Sequence, residues 1–433
     1  MSGGFGIYKN SGGGGGSALT SIPIANTLYV AKNGSDATGA VADLSKPYLT
    51  IAAASADATA GETIYVYAGS YVETSEESFV DNVNYYLEAG VIVSNSAFPI
   101  VNDNSGVRNI RIFGEGMFLC GARDGVKMEN VSSSPRARYL HLELHRMQIT
   151  SGGSGINIED LTEAYINITE VLNLGSTFFE VGGLTKTVLE FNSYTADSTA
   201  ISSFETRISR VGGDESYCDI IGVNADIDFA AAGQGIHIQN GSGAVTSFRI
   251  NNINNNNTDG LDFITLQSGG STSVAATVTF RNARITSRGA AKGGIEIVDG
   301  SMSLQNVLLD TQLRAIKQRN GNLNLFNCGI FTAEGSCLEL LGGETTITNA
   351  VLRNLEQTGV TGIIKIETGD LTLCNVQSFA FLSTNVFLYS VAAVNVRLQG
   401  TSVSNKVNSG TITNIITGTT FIADADVIID SIF

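Results

Sequence analysis

Five apolar-x-Asn triplets recur in the C-terminal half of this chain: Phe280-Arg-Asn282, Leu304-Gln-Asn306, Leu325-Phe-Asn327, Ile347-Thr-Asn349 and Leu373-Cys-Asn375. Their asparagines stand 24, 21, 22 and 26 residues apart. A second apolar segment keeps step with them: Gly294-Ile-Glu-Ile-Val298, Ala315-Ile-Lys317, Cys337-Leu-Glu-Leu-Leu341, Ile363-Ile-Lys-Ile366 and Phe387-Leu-Tyr389. Self-similarity at such a period marks a stacked repeat. Each unit reads as two or three strands of four or five residues, with side chains alternating inward and outward. Inward Ile, Leu, Val and Phe then stack on their equivalents one coil away. An Asn repeated at one corner can hydrogen-bond up and down the stack and tolerates left-handed backbone angles there. Looser coils are legible earlier, at Gly155-Ile-Asn-Ile158, Tyr165-Ile-Asn-Ile168, Gly235-Ile-His-Ile238 and Phe248-Arg-Ile250. The expected fold is all-β, a right-handed parallel β-helix. At about 4.8 Å per coil, it makes a rod on the order of 80 Å long.

A chain of 433 residues would ordinarily split into two or three domains, but a repeat stack grows by adding units instead of enlarging a core. Composition agrees. Glycine is abundant (49) and proline scarce (4); charged residues are 15% against about 25% in typical domains, so β-branched residues dominate. The formal net charge is −16, and its 25 Lys+Arg are scattered among 41 Asp+Glu. That balance excludes the basic face nucleic acid requires and disfavours an anionic membrane surface. Cys120, Cys218, Cys328, Cys337 and Cys374 are odd in number and lack CxxC spacing, which points to buried thiols acting as small apolar residues.

Three regions are expected. Residues 1–26 form a Gly-rich leader with a small apolar element, Phe5, Ile7 and Tyr8, ahead of the run Ser11–Ser17. Residues 27–419 form the β-helix. Residues 420–433 form an apolar C-terminal strand or cap, expected to be buried against sibling chains or packed on the last coil. Within the second region, Leu28-Tyr-Val30 reads as a strand ending in an Asn-Gly turn. Ile51–Ala60 reads as a short Ala-rich helix closed by Gly61, and Thr63–Tyr67 as the next strand.

The run Gly61-Glu-Thr-Ile-Tyr-Val-Tyr-Ala-Gly-Ser-Tyr71, preceded by that strand, turn and helix, resembles the N-terminal portion of the pectin-lyase-like β-helix superfamily. The resemblance covers about 50 residues. It implies that the short helix caps the open end of the solenoid, and it says little about activity.

Candidate chemistry is sparse. His141 and His145 in Tyr139-Leu-His-Leu-Glu-Leu-His145 alternate as in a strand and are expected on one face, as solvated residues more readily than as a metal pair. His237 is expected to point outward. Asn257-Thr-Asp-Gly-Leu-Asp262 resembles a segment of the polygalacturonases, β-helical glycoside hydrolases working through carboxylates, and on that resemblance Asp259 is a candidate catalytic carboxylate. The later Asp-Asp pair, Gly-His-Gly and Arg-Ile-Lys of that family are missing, so a polar corner closing the Asn252–Asn257 run is the plainer reading. Asp219, Asp226 and Asp228 with Arg207 or Arg210 are the residues from which a calcium-assisted lyase site could be assembled. No cofactor or resident metal is expected.

No basic-then-apolar signal segment opens the chain, and no run reaches the roughly 18 apolar residues of a membrane helix. With the Gly-rich leader and apolar C-terminus, the chain resembles the β-helical tail spikes and fibres of bacteriophages. That resemblance implies a virion-surface structural protein, made in a host cytoplasm and usually homotrimeric. Its expected partners are other virion proteins, met through the leader, and a bacterial surface glycan. The alternative is a polysaccharide lyase or glycoside hydrolase on the same rod.

Overall fold

The protein is described here by a computed structural model covering residues 24–74, 79–95, 97–103, 109–128, 139–159, 163–174, 177–183, 185–196, 202–208, 217–229, 234–240, 244–255, 264–267, 277–287, 293–355, 363–380, 388–390, 395–399, 402–405 and 420–423. Apart from one short α-helix and a 3-10 turn at Ile24–Asn26, its regular structure is strand, and every strand pairing is parallel. The parallel β-helix expected from the repeats is the fold. It has a 25-stranded and a 12-stranded sheet. Each strand pairs with its equivalent one coil away, for example Ser301–Gln305 with Asn322–Phe326 and then Glu344–Thr348.

The larger sheet makes two walls, the first of which begins with Thr27–Val30, Thr63–Val66 and Asn84–Leu87, and the smaller one makes the third. Near both ends the two walls hold separate short strands, such as Asn84–Leu87 and Val91–Asn95, or Thr277–Arg281 and Arg284–Ser287. In the middle coils single long strands run through the corner, including Tyr139–Ile149, Glu163–Asn173 and Lys186–Ala196, and these fuse the two walls into one sheet. Alternation breaks once in each, where two consecutive residues both face outward: His145 and Arg146, Thr169 and Glu170, Asn192 and Ser193. That break turns the strand without ending it.

In the C-terminal coils the same corner is turned by asparagine. Asn282, Asn306, Asn327, Asn349 and Asn375 all take left-handed angles, φ between +52° and +55°. The Nδ2 of Asn306 donates to Asn282 Oδ1 at 2.9 Å, Asn327 to Asn306 at 3.2 Å, and Asn375 to Asn349 at 3.2 Å. Their backbone amides reach the next coil as well, as in Asn306 N to Phe326 O at 2.9 Å. The expected corner ladder is therefore present.

The interior is one continuous apolar stack, from Leu28 and Val30 through Ile166, Ile220 and Phe280 to Leu371 and Leu388, all essentially inaccessible. Phe248 and Phe280 stack face to face, 4.5 Å between centroids and 5° apart. Cys120, Cys218, Cys328 and Cys337 are buried in or beside this core as free thiols. Cys374 departs from that expectation and is half-buried. It holds the middle, outward place of its triplet, stacked between Thr348 and Gln399.

The helix spans Ile51–Asp57 and packs Ile51 and Ala54 into the first coils; Ser55 Oγ shares a 3.0 Å hydrogen bond with the Tyr85 hydroxyl. Thr50 caps it, Oγ1 accepting from Ala53 N, as N-cap threonines do. It is shorter than the expected Ile51–Ala60. Asp57 is drawn off by the Tyr48 hydroxyl at 2.8 Å, and Glu62 takes the Thr59 amide at 2.6 Å, so the chain turns early. Gly61, with φ +92°, serves that turn and does not close the helix.

The leader up to residue 23 lies outside the described residues. At the other end, Thr420–Ala423 adds a strand to the same sheet, Val396 pairing with Phe421; residues 424–433 lie outside the description.

Candidate functional site

The first wall carries, on its outer side, a line of aromatic residues that the fold stacks from dispersed sequence positions. Strand register aligns Tyr29 with Tyr65, Tyr65 with Tyr86, and Tyr86 with Phe113. Tyr29, Tyr65 and Tyr86 each stand between two inward neighbours, as Tyr65 does between Ile64 and Val66. Ring centroids lie 6.4 Å apart for Tyr29–Tyr65 and 5.1 Å for Tyr65–Tyr86, the latter stacked at 17°. Tyr67 closes on Tyr65 edge-on at 4.9 Å. Tyr29 and Tyr65 are only 5% exposed, so the half-buried Tyr67, Tyr86 and Phe113 present most of the accessible surface of this column.

The next column continues the line. Arg111, His141 and Tyr165 are register partners. The imidazole sits 4.7 Å from the Phe113 ring and 5.1 Å from the Tyr165 ring. His141 Nε2 lies 2.8 Å from Glu143 Oε1, and its Nδ1 lies 3.4 Å from the Tyr139 hydroxyl. The Tyr165 hydroxyl donates to Glu190 Oε2 at 2.9 Å. Arg111 donates from Nε to Asn109 Oδ1 at 3.1 Å and lays its guanidinium 5.8 Å from the Tyr139 ring centroid.

Carboxylates flank the line: Glu88 and Glu115 beside the tyrosine column, Glu143 at the histidine and Glu190 at the Tyr165 hydroxyl. Burial first, then Glu88, pushes the Tyr65 hydroxyl up to about 12. Burial and the Glu190 hydrogen bond do the same at Tyr165, also to about 12. Tyr86 is raised by burial, Glu115 and Glu88. These hydroxyls stay protonated across the physiological range; that of Tyr165 donates to Glu190 and leaves its oxygen as an acceptor. A surface of tyrosine edges, one imidazole and spaced carboxylates can hydrogen-bond a polyhydroxylated chain lying along the rod.

No family model matches the chain, and no curated protein matches it either. Among solved structures a rhamnogalacturonan lyase aligns at 14% identity, over 87% of this chain and 74% of that one, with a TM-score of 0.17. A superposition that loose carries no argument, and nothing of the lyase is transferred to these residues.

Asp259 and the rest of Asn257–Asp262 lie outside the described residues. Asp226 and Asp228 lie on Tyr217–Phe229, paired in register with Asn252 and Asn254. Asp219 stands seven residues earlier on that strand, on the order of 20 Å along an extended backbone, and accepts from the Ser247 hydroxyl. Arg207 belongs to the third wall, opposite Gly182, and Arg210 lies outside the description. The three aspartates thus share one strand, while Arg207 stands on another wall. Among the described residues no group of three or more His, Cys, Asp or Glu side chains is placed to hold a metal ion.

His141 and His145 do not share a wall: the corner falls between them, leaving His145 exposed on the bend. His237 is half-buried on the third wall, in register with Glu205 and Thr265. Sequence reasoning passed over Tyr139, Glu143, Tyr165, Glu190 and the tyrosine column. Aligning the four-residue strands TLYV, TIYV and NYYL would have shown an aromatic at each third position.

Proposed function

We propose that the chain is a rod-shaped surface-attachment protein, of the phage tail-spike or fibre kind, that engages polysaccharide along its first wall. The observation carrying this reading is the aromatic line from Tyr29 to Tyr165 with its flanking carboxylates, which runs parallel to the rod axis and so offers an extended chain several coils of contact. A stiff acidic rod suits display at a particle surface, where net charge keeps such assemblies soluble. The test is polysaccharide binding by the full chain, with Tyr165→Phe and His141→Ala beside it. Binding that falls about tenfold in each variant, with melting temperature unchanged, is the expected result. Full-strength binding by both variants removes the site; no binding to any polysaccharide removes the function.

A second reading has its own observation: His141 is oriented between the Glu143 carboxylate and the Tyr139 hydroxyl, an imidazole–carboxylate pair of the kind that serves in acid–base catalysis. New reducing ends released from a polysaccharide, and abolished in His141→Ala, would make the rod an enzyme.

A further inference from the structure

The first-wall strip has a sign as well as a shape. Glu88, Glu115, Glu143 and Glu190 stand along it, in a chain whose formal net charge is −16. Arg111, a cation set into the strip, is already engaged by Asn109 and the Tyr139 ring. The hydroxyls of Tyr65, Tyr86 and Tyr165 are kept protonated by burial and by those same carboxylates. We infer that the strip takes an amino-sugar polysaccharide, whose ammonium groups and hydroxyls meet its carboxylates and phenols, and that it rejects polyuronates.

The inference rests on the glycan-attachment reading and specifies its ligand. Ionised carboxylates only accept hydrogen bonds. An ammonium supplies up to three donors and a charge-assisted bond to each carboxylate it meets. A uronate supplies a further anion, and bringing it onto a line of carboxylates is repulsive wherever it meets one. Like-charge juxtaposition of this kind is how protein surfaces suppress wrong partners. The repeat distance helps: coils about 4.8 Å apart let successive sugars of an extended chain meet successive coils.

The experiment titrates the full chain with three oligosaccharides of equal length, built from glucosamine, N-acetylglucosamine and galacturonate, at low and at moderate salt. The expected order is glucosamine tightest, at least tenfold over galacturonate, with the glucosamine affinity falling several-fold as salt rises. In a Glu143→Gln/Glu190→Gln variant the glucosamine preference should shrink at least threefold. Galacturonate binding as tight as or tighter than glucosamine overturns the assignment while leaving glycan attachment standing. N-acetylglucosamine binding as tightly as glucosamine, without salt dependence, overturns it too, because charge then plays no part. Binding of none of the three, nor of any other polysaccharide, overturns the attachment reading itself. The comparison among ligands needs only the unmodified protein, so a variant that fails to fold does not decide it.

Discussion

At single positions the fold depends on backbone angles that few residues tolerate. Gly321 has φ +80°, and a Cβ there would collide with the Gly300 carbonyl oxygen of the coil below. Gly321→Ala is therefore expected to destabilise by about 2 kcal/mol or more, from left-handed strain plus the clash, seen as a lowered denaturant midpoint. Asn327 separates two contributions. Asn327→Ala loses both the left-handed tolerance and the amide ladder, an expected cost of about 2 kcal/mol. Asn327→Gly keeps the angle and loses only the ladder, and should cost less than half as much. Equal costs in the two variants would show that the side-chain ladder, and not the corner angle, is what asparagine supplies. These positions were legible in sequence because the triplet repeats nearly in phase. The tyrosine column was not: Tyr29, Tyr65, Tyr86 and Phe113 fall at intervals of 36, 21 and 27 residues, since intervening turns vary in length while register does not. The strand histidines part for a different reason: simple alternation does not hold through a corner where two residues face outward in succession.

Among the elements, the third wall of the C-terminal coils carries alternating charge. Glu296, Lys317, Glu339 and Lys365 are successive register partners. Lys317 approaches Glu296 at 3.7 Å, Lys365 reaches Glu339 at 3.1 Å, and Arg314 meets Glu339 at 2.9 Å. Burial pushes the Glu339 carboxyl up, but the Lys365 hydrogen bond and the charges of Arg314, Lys365 and Lys317 outweigh it and hold it below its ordinary 4.5. Glu367 first, then Glu339, hold Lys365 above its ordinary 10.5 against the effect of burial. A lowered carboxylate stabilises above its unfolded value and loses that contribution as pH falls through the folded one. A raised lysine stabilises below 10.5 and loses its contribution as pH rises through its folded value. Stability from this ladder should thus be fullest between about pH 4.5 and 10.5. Glu339→Gln is expected to cost about 1–2 kcal/mol at neutral pH, with the gap from the unmodified protein closing as acid protonates Glu339. A gap independent of pH in urea titrations would assign the loss to packing instead. The apolar partners of this ladder, Ile295, Ile316, Leu338 and Ile364, were legible as the second repeating segment. The pairing of the charges was not, because it depends on register between coils and not on anything within one.

For the whole molecule, sequence periodicity sufficed for architecture, since a parallel stack needs only that inward residues recur. It did not suffice for function, because a site on the outside is assembled from coils whose spacing in sequence is irregular, and Asp259, the aspartate singled out by motif, lies outside the description. The spike reading expects a closed oligomer, and the solution mass of the full chain and of a form lacking residues 1–26 tests it. A stable trimer in both supports assembly through the rod itself. A monodisperse monomer in both removes the homotrimer.

The near-identical corners carry a last implication. From Asn306 to Asn327 the chain passes from one left-handed asparagine to the next, and the paired strands across that interval are offset by a constant 21 residues. Excising residues 306–326 would therefore splice one corner onto its twin, leaving every remaining strand with an equivalent neighbour. The product should fold into the same cross-section, shorter by one coil, about 4.8 Å, which small-angle scattering can measure. A loss of cooperative unfolding in that deletion would mean the coils are individually fitted. If it folds, the length of this rod is a quantity that duplication or loss of one short stretch of gene can adjust while the outer face of the first coils stays untouched.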